Sequence, residues 1–376
     1  MKRPDIGPDI ERMTTYCTYC PKMCRFSCPA ASAEGRETVT PWGMMRLFEF
    51  ARDGSLPLDD ETAEAFFHCT GCRRCQTFCA HDNDVPKALW AARRWVVDSG
   101  FLPEPYIALH ESFEERGTPY SENPNSIDDS VFHAEGSVGY WPDCSTVADR
   151  PELVGAIGRL LTQVTGDKIR LIRSAEMGQP VCCGFPLTGA GLETAQSCRE
   201  DRWPSLEGLE MVWTDCPALA SWNRDDSSWS LDDDGSPPID HVFSLFSDGL
   251  NEIPAPTAPL EADDILLHRS CLVSRQLGAL DEVDAILATI CRSLPQRMAY
   301  DGEESPCCGG RCHYRVLEPA GSHEAARRVV ESLRRNDGAR RMVTTSSMCR
   351  QAMDEAGDAD AVHSLLELVC MAYEVL

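Results

Sequence analysis

His68-Cys69-Thr70-Gly71-Cys72-Arg73-Arg74-Cys75-Gln76-Thr77-Phe78-Cys79 repeats a thiol at every third residue three times and adds a fourth four positions on. This C-x2-C-x2-C-x3-C spacing holds an iron–sulfur cluster. The short loops let one stretch of backbone wrap one inorganic core, and the fourth thiol points away toward a neighbouring cluster. A structural zinc site would place two ligand pairs on separate elements. Four thiols within eleven consecutive residues overcrowd a single tetrahedral ion.

Upstream stands a second run, Tyr16-Cys17-Thr18-Tyr19-Cys20-Pro21-Lys22-Met23-Cys24-Arg25-Phe26-Ser27-Cys28-Pro29. Its spacing, C-x2-C-x3-C-x3-C-P, is one residue longer in the middle, and the terminal Cys-Pro matches two-cluster ferredoxins. In that pattern each fourth thiol completes the other cluster. Cys17, Cys20, Cys24 and Cys79 are therefore assigned to one 4Fe–4S centre, and Cys69, Cys72, Cys75 and Cys28 to a second. Residues 1–16 read as a flexible lead-in. Between the runs, Thr40, Pro41 and Gly54 bracket one helix, and Asp59 or Asp60 can cap another through Ala65-Phe66-Phe67. Asp84 and Pro86 open a third that runs to Gly100, with Val85, Leu89, Ala92 and Val96 on one face. Residues 1–100 thus resemble an α-helical ferredoxin domain. Residues 101–135, rich in proline, read as a linker or a packing arm, with room for a short helix near Tyr106–Phe113.

The whole chain has 376 residues, 43% of them hydrophobic, which suits folded domains rather than disorder. The first residues lack the apolar stretch of a secretory signal, and no run approaches the ~18 apolar residues that mark a membrane span. We expect a cytoplasmic protein whose contact with the inner membrane, if it has one, comes through a partner. Twenty cysteines in that setting indicate metal or redox chemistry rather than disulfides. The formal net charge is -25, yet residues 1–100 carry 13 Lys and Arg against 14 Asp and Glu, so nearly all the excess lies beyond them. Such a surface repels nucleic acid, which needs clustered cations.

From Gly136 an internal repeat begins. Cys144, Cys182-Cys183-Gly184, Cys216 and His241 recur as Cys271, Cys307-Cys308-Gly309, Cys349 and His363, at offsets of 127, 125, 133 and 122 residues. An apolar helical face follows each first cysteine: Leu153, Ile157, Leu160, Leu161 and Val164, then Leu280, Val283, Leu287 and Ile290. Short β-rich runs stand at Ile169–Ile172, Met211–Thr214, Ile265–His268 and Met342–Thr345. Strand, helix, strand in succession predicts βαβ layers on a parallel sheet, hence an α/β domain of two modules, 136–253 and 260–376. The segment Pro254–Pro259 joins them.

Adjacent cysteines seldom pair with each other, since a vicinal disulfide strains the backbone. Two thiols followed by glycine are better read as ligands, because glycine lets a cluster approach and tolerates positive φ. Each copy then supplies four thiols: Cys144, Cys182, Cys183 and Cys216 in the first, Cys271, Cys307, Cys308 and Cys349 in the second. Four thiolates satisfy a 4Fe–4S core. C-x(31–39)-C-C-G followed by another cysteine, twice over and behind a ferredoxin module, resembles the cysteine-rich CCG-domain proteins. These include the cysteine-rich subunits of heterodisulfide reductase and the iron–sulfur subunits of glycolate oxidase, lactate utilisation and anaerobic glycerol-3-phosphate dehydrogenase.

The resemblance implies an iron–sulfur electron-transfer subunit of a flavin-linked oxidoreductase. It would relay electrons between a flavoprotein dehydrogenase subunit and a quinone or disulfide acceptor, alongside a quinone-reducing or membrane-anchor subunit. In the catalytic heterodisulfide reductases a fifth thiol in a C-x-x-C motif supports a split cluster. Here Leu219 and Ala352 occupy the matching positions, which favours electron-carrying clusters over disulfide chemistry; Cys198 and Cys312 lie near enough in sequence to substitute. Two alternatives therefore stand beside the relay: a heterodisulfide or thiol reductase, and a non-redox protein braced by metal. No G-x-G-x-x-G fingerprint, G-x-x-x-x-G-K-[ST] loop or G-x-S-x-G elbow occurs, so no NAD, flavin or ATP site of its own is expected. Cys291 and Cys370 read as buried core. His68, His81 and His313 read as partly exposed neighbours of the thiols, Arg73 and Arg74 as either potential-tuning or solvated, and Trp42, Trp90 and Trp95 as packing residues.

Overall fold

The computed structural model describes residues 4–120, 127–192, 204–222, 236–336, 338–357 and 361–376. The N-terminal part is helical. Thr40 accepts the Gly43 amide at 3.0 Å and opens the helix Pro41–Asp53. Asp59 does the same for Asp60–Ala65, and Asp84 for Val85–Asp98, so each helix starts at a side chain that satisfies an orphan amide. The described residues of the expected flexible lead-in, 4–16, are largely helical. Gly7–Tyr19 is a helix that buries Met13, Thr14 and Cys17 and packs on Pro41–Asp53. Ile6, Ile10, Met13 and Cys17 recur at helical spacing, which is the signal that the lead-in reading passed over. The proline-rich arm holds the helix Glu104–Arg116. Tyr106 is fully buried there and donates to the His313 carbonyl at 3.0 Å, so the arm is packed.

Beyond it lie two four-stranded parallel sheets. The first comprises β1 (Val138–Trp141), β2 (Ile169–Leu171), β3 (Met211–Thr214) and β4 (Ile239–His241), in the order β2-β1-β3-β4. The second comprises β5 (Ile265–His268), β6 (Gln296–Arg297), β7 (Arg341–Thr344) and β8 (Val362–Ser364), in the order β6-β5-β7-β8. The sequence repeat is thus a repeat of topology. Val138 stands opposite Met211, and Ile265 opposite Arg341. The helices Pro151–Thr165 and Leu280–Ile290 carry the chain from the first to the second strand of each sheet. The chain leaves β1 toward β2 on one side, while β3 lies on the other. The carboxyl ends of β1 and β3 therefore flank a topological switch point, where open α/β sheets place their sites. Cys144 and Cys216 stand just past those ends, and Cys271 and Cys349 past their counterparts β5 and β7.

The two halves pack reciprocally. Cys144–Asp149 of the first lies on Ser347–Ala356 of the second, while Pro217–Trp222 of the first lies on the π-helical turn Leu272–Leu277 of the second. Val242–Gly249 meets Leu280–Ile290, and Leu365–Ala372 meets Pro151–Thr165. A shared core of Ile157, Leu161, Phe243, Phe246, Val283, Leu287, Leu365 and Val369 fills the seam. A second core runs unbroken from Phe48 and Phe66 in the helical part to Trp141, Phe185 and Leu219 in the sheets. Among the described residues no helix is long and apolar enough to cross a membrane.

Candidate metal centres

The two N-terminal cysteine runs turn in the same way despite their unequal spacing. Lys22 (φ 67°) and Arg73 (φ 59°) both adopt the left-handed conformation ahead of the third cysteine, so the additional residue after Cys20 is absorbed in a turn of like hand. Cys17 lies within Coulombic reach of Cys20, Cys24 and Cys79. Cys28 lies within reach of Cys69 and Cys72, and Cys75 of Cys69, Cys72 and Cys28. The fourth thiol of each run has crossed to the other set. Cys17, Cys20, Cys24 and Cys79 line a cavity of about 150 Å³ together with Tyr16, Trp42 and Asn83. Asn83 donates to the Cys17 sulfur at 3.4 Å, Gly71 N–H to Cys69 at 3.3 Å and Ala31 N–H to Cys28 at 3.5 Å. Burial pushes the Cys17 thiol up to about 12 and Cys24 up to about 11. Such groups stay protonated at neutral pH unless a cation takes the proton's place, which a metal does outright.

In the first repeat Cys144 Sγ and Cys182 Sγ are 3.5 Å apart, and Cys183 reaches Cys216. In the second, Cys271 Sγ and Cys307 Sγ are 3.9 Å apart, and Cys308 reaches Cys349. The glycine after each pair, Gly184 (φ 82°) or Gly309 (φ 73°), is left-handed, a conformation costly for any residue with a Cβ. Gly309 and Gly310 turn their amides onto Cys307 and Cys308, both at 3.4 Å. The surroundings of the two sets differ in sign. At the first, buried Asp143 reaches toward Cys144 and Cys216, and Asp215 accepts from the Asp143 amide at 2.6 Å and the Tyr140 hydroxyl at 3.0 Å. Burial, with Asp143 close by, pushes Asp215 up to about 7. At the second, Ser270 and Thr345 stand where those carboxylates were, joined amide to hydroxyl at 2.9 Å. There the hydrogen bond with Cys307 and the nearby Arg311 and Arg275 outweigh burial and draw Cys271 down to about 7.

Several residues sit differently from what the sequence led us to expect. The C-x-x-C thiol is missing from both repeats, and the sequence offers Cys198 and Cys312 as substitutes. Cys312, from the second repeat, lies near Cys144 and Cys182 of the first, because the loop after Cys308 crosses the seam. Cys198 lies outside the described residues. His68 and His313 are buried rather than partly exposed. His68 Nδ1 meets Glu34 at 2.9 Å, and His313 Nε2 meets the Cys69 carbonyl at 3.1 Å. His81 is exposed and stacks on Tyr16 at 4.9 Å. Arg74 is buried and donates to the carbonyls of Glu304 and Ser27, tying the helical part to the second repeat. Cys370 is fully buried in the seam, whereas Cys291 is only half-buried at its edge. Arg93 and Arg311, both fully enclosed between the cysteine sets, went unnoticed in the sequence, because nothing in their spacing separates them from surface arginines.

Comparison with protein families matches residues 13–83 to a 4Fe–4S dicluster domain and residues 265–354 to the cysteine-rich CCG domain. The chain carries a 4Fe–4S dicluster domain and a CCG domain. The second match contains Cys271, Cys307, Cys308 and Cys349, and the shared strand order ties the first repeat of the chain to the second. No curated protein matches it. The donors suit a cluster: soft, mostly buried thiols gathered in fours, with backbone amides turned onto their sulfurs. These domains give it an iron–sulfur electron-transfer role.

Proposed function

We propose that the chain is the electron-relay subunit of a flavin-linked oxidoreductase, holding four 4Fe–4S clusters. Cys17, Cys20, Cys24 and Cys79 would hold the first, and Cys69, Cys72, Cys75 and Cys28 the second. Cys144, Cys182, Cys183 and Cys216 would hold the third, and Cys271, Cys307, Cys308 and Cys349 the fourth. Each cluster would take up and release one electron at a potential its surroundings set, anywhere from roughly -700 to +450 mV.

The observation that carries this reading is the continuity of the thiol sets. Cys24 of the first set lies within reach of Cys75 of the second. Cys72 of the second is in hydrogen-bond contact with Cys307 of the second repeat. Five residues after Cys307, Cys312 lies near the thiols of the first repeat. Electron transfer weakens steeply with distance, so neighbouring sets suit a relay. The N-terminal set is the one nearest solvent: Cys20, Cys24 and Cys79 are only partly buried, and Tyr16, Tyr19, Met23 and Phe26 around them are exposed. That apolar rim suits docking of a flavoprotein donor. A quinone- or disulfide-reducing acceptor would complete the complex.

Anaerobic purification of the full chain, with iron and sulfide analysis, tests the reading; about sixteen irons per chain are expected, four for each of four clusters. Zinc in place of iron would defeat it, and co-purification from native extracts should bring down a flavoprotein. A second reading, a thiol or disulfide reductase, draws support from Cys312, since it gives the first repeat five neighbouring thiols. That reading predicts a distinct paramagnetic state on mild thiol oxidation that Cys312→Ala abolishes.

A further inference from the structure

Arg311 lies in the segment Cys307-Cys308-Gly309-Gly310-Arg311-Cys312-His313, immediately before the helix Cys312–Leu317, and is 3% exposed. Its Nε, Nη1 and Nη2 are all buried with no hydrogen-bond partner among the described residues, and no described carboxylate pairs with it. The guanidinium stacks 4.9 Å over the ring of Phe185, which follows the Cys182-Cys183-Gly184 turn of the first repeat. It also presses on Gly71, where an added Cβ would lie 2.9 Å from Nη1. Its charge acts on both Cys69 and Cys271. Arg93, equally enclosed nearby, is by contrast satisfied by four backbone carbonyls.

A bare buried cation is among the costliest things a protein can enclose, and proteins retain one where an anion answers it. A cluster with four thiolates is such an anion. We infer that Arg311 is the shared counter-ion of the two centres held by the Cys69 set and the Cys271 set, a positioning residue that makes both easier to reduce than the centre of the first repeat. The inference rests on the cluster reading above.

The contrast with the first repeat supports it. Asp143 and Asp215 crowd the Cys144 set with carboxylate, whereas Arg275 and Arg311 bring guanidinium to the Cys271 set. Arg275 donates to the carbonyls of Cys72, Glu303 and Ser305 and is thereby held in place. A nearby positive charge stabilises the reduced, more negative state of a centre, and a nearby negative charge opposes it. Arg311 carries this difference because it leads out of the Cys307-Cys308 turn, presses on Gly71 between Cys69 and Cys72, and makes no hydrogen bond among the described residues. The order that follows puts the electron sink at the junction of the helical part and the second repeat.

The test is potentiometric titration of the anaerobically purified full chain, followed by electron paramagnetic resonance. Iron content and the parent signals are measured first, and their absence defeats the cluster reading rather than this one. Cys308→Ala and Cys75→Ala identify the two signals concerned by which resonance each removes. In Arg311→Gln both should become harder to reduce by at least tenfold, or 59 mV for a one-electron couple. The centres of the Cys17 and Cys144 sets should move much less, and Arg311→Lys, which keeps the charge, should recover most of the shift. Unchanged potentials in a fully loaded Arg311→Gln protein, or equal shifts of all four, overturn the inference. If Arg311→Gln does not load, Arg311→Lys and Arg275→Gln decide: the sink requires the first to stay near the parent and the second to fall.

Discussion

Replacing Arg93 by methionine should loosen the joint between the ferredoxin helices and the first repeat, and the structure fixes the size of the effect. The guanidinium donates to the carbonyls of Phe66 at 2.8 Å, Phe67 at 3.3 Å, Cys69 at 2.6 Å and Gly189 at 2.5 Å. The first three approach or enter the second cysteine run. The fourth closes the short helix that follows Cys182-Cys183-Gly184. Methionine fills much of the volume but donates nothing. Cys69 keeps a partner in His313, so three carbonyls lose this donor. A buried group stripped of its partner costs about 1–3 kcal/mol, so three of them set a ceiling of about 9 kcal/mol. Removing the buried charge returns part of that, since its own desolvation no longer has to be met. The expected net loss is about 3–5 kcal/mol, the lower part of the span set by three unmet carbonyls at about 1–3 kcal/mol each.

Trp90 and Trp95 lie on the same helix as Arg93, so tryptophan emission during anaerobic urea unfolding of the loaded protein reports the relevant transition. Arg93→Lys keeps the charge but not the planar fork, and cannot span four carbonyls on different segments. It should fall between parent and methionine variant, losing about 2 kcal/mol by the same count of unmet acceptors. A methionine variant within about 1 kcal/mol of the parent would refute the reasoning, because it would mean that those carbonyls find other donors at little cost.

Three further outcomes follow from the same geometry. Cys79→Ala should remove about four irons and the signal of the Cys17 set while sparing that of the Cys69 set, and Cys28→Ala should do the reverse; loss of both signals from either variant would sink the crossed assignment. Gly309→Ala forces a left-handed residue to carry a Cβ 3.0 Å from that of Ala325, and should cost at least about 1–2 kcal/mol in thermal or urea unfolding. Tyr106→Phe removes one buried hydrogen bond to the His313 carbonyl and should cost about 0.5–1.5 kcal/mol, read the same way.

The architecture was legible where the signal was local. Thr40, Asp59 and Asp84 cap the helices they announced, and Met211–Thr214 and Ile265–His268 are strands at the predicted bounds. The paired order of cysteines foretold two sheets of one topology. What escaped notice depended on contacts between distant segments. β1 was passed over because Gly139 and Pro142 interrupt its apolar run, although the chain buries all four of its residues. Gly139 faces Ile172, Leu209 and Val212, with no room for a side chain, so the residue that hid the strand is required by its packing. His68 read as partly exposed, and Arg74 as potential-tuning or solvated, because polar residues usually lie at the surface. Their burial follows from Glu34, Glu304 and Ser27, partners brought in by the fold.

The loop from Cys307 to His313 explains why the two repeats could not remain equivalent. In the first repeat the Cys-Cys-Gly turn runs directly into the short apolar helix Phe185–Gly189. In the second, Gly310 extends the turn, and there is no space for more: a Cβ on it would meet Ala352 at 2.7 Å. The chain is thereby delivered across the seam, with Arg311 against Gly71 and Phe185, Cys312 near Cys144 and Cys182, and His313 against the Cys69 carbonyl. A duplicated module has acquired, in seven residues, thiol or charge contact with three of the four cysteine sets. Symmetry alone would have left each repeat facing its own four thiols. This one asymmetric loop joins them to each other and to the helical domain, and a relay needs that joining more than it needs any single ligand.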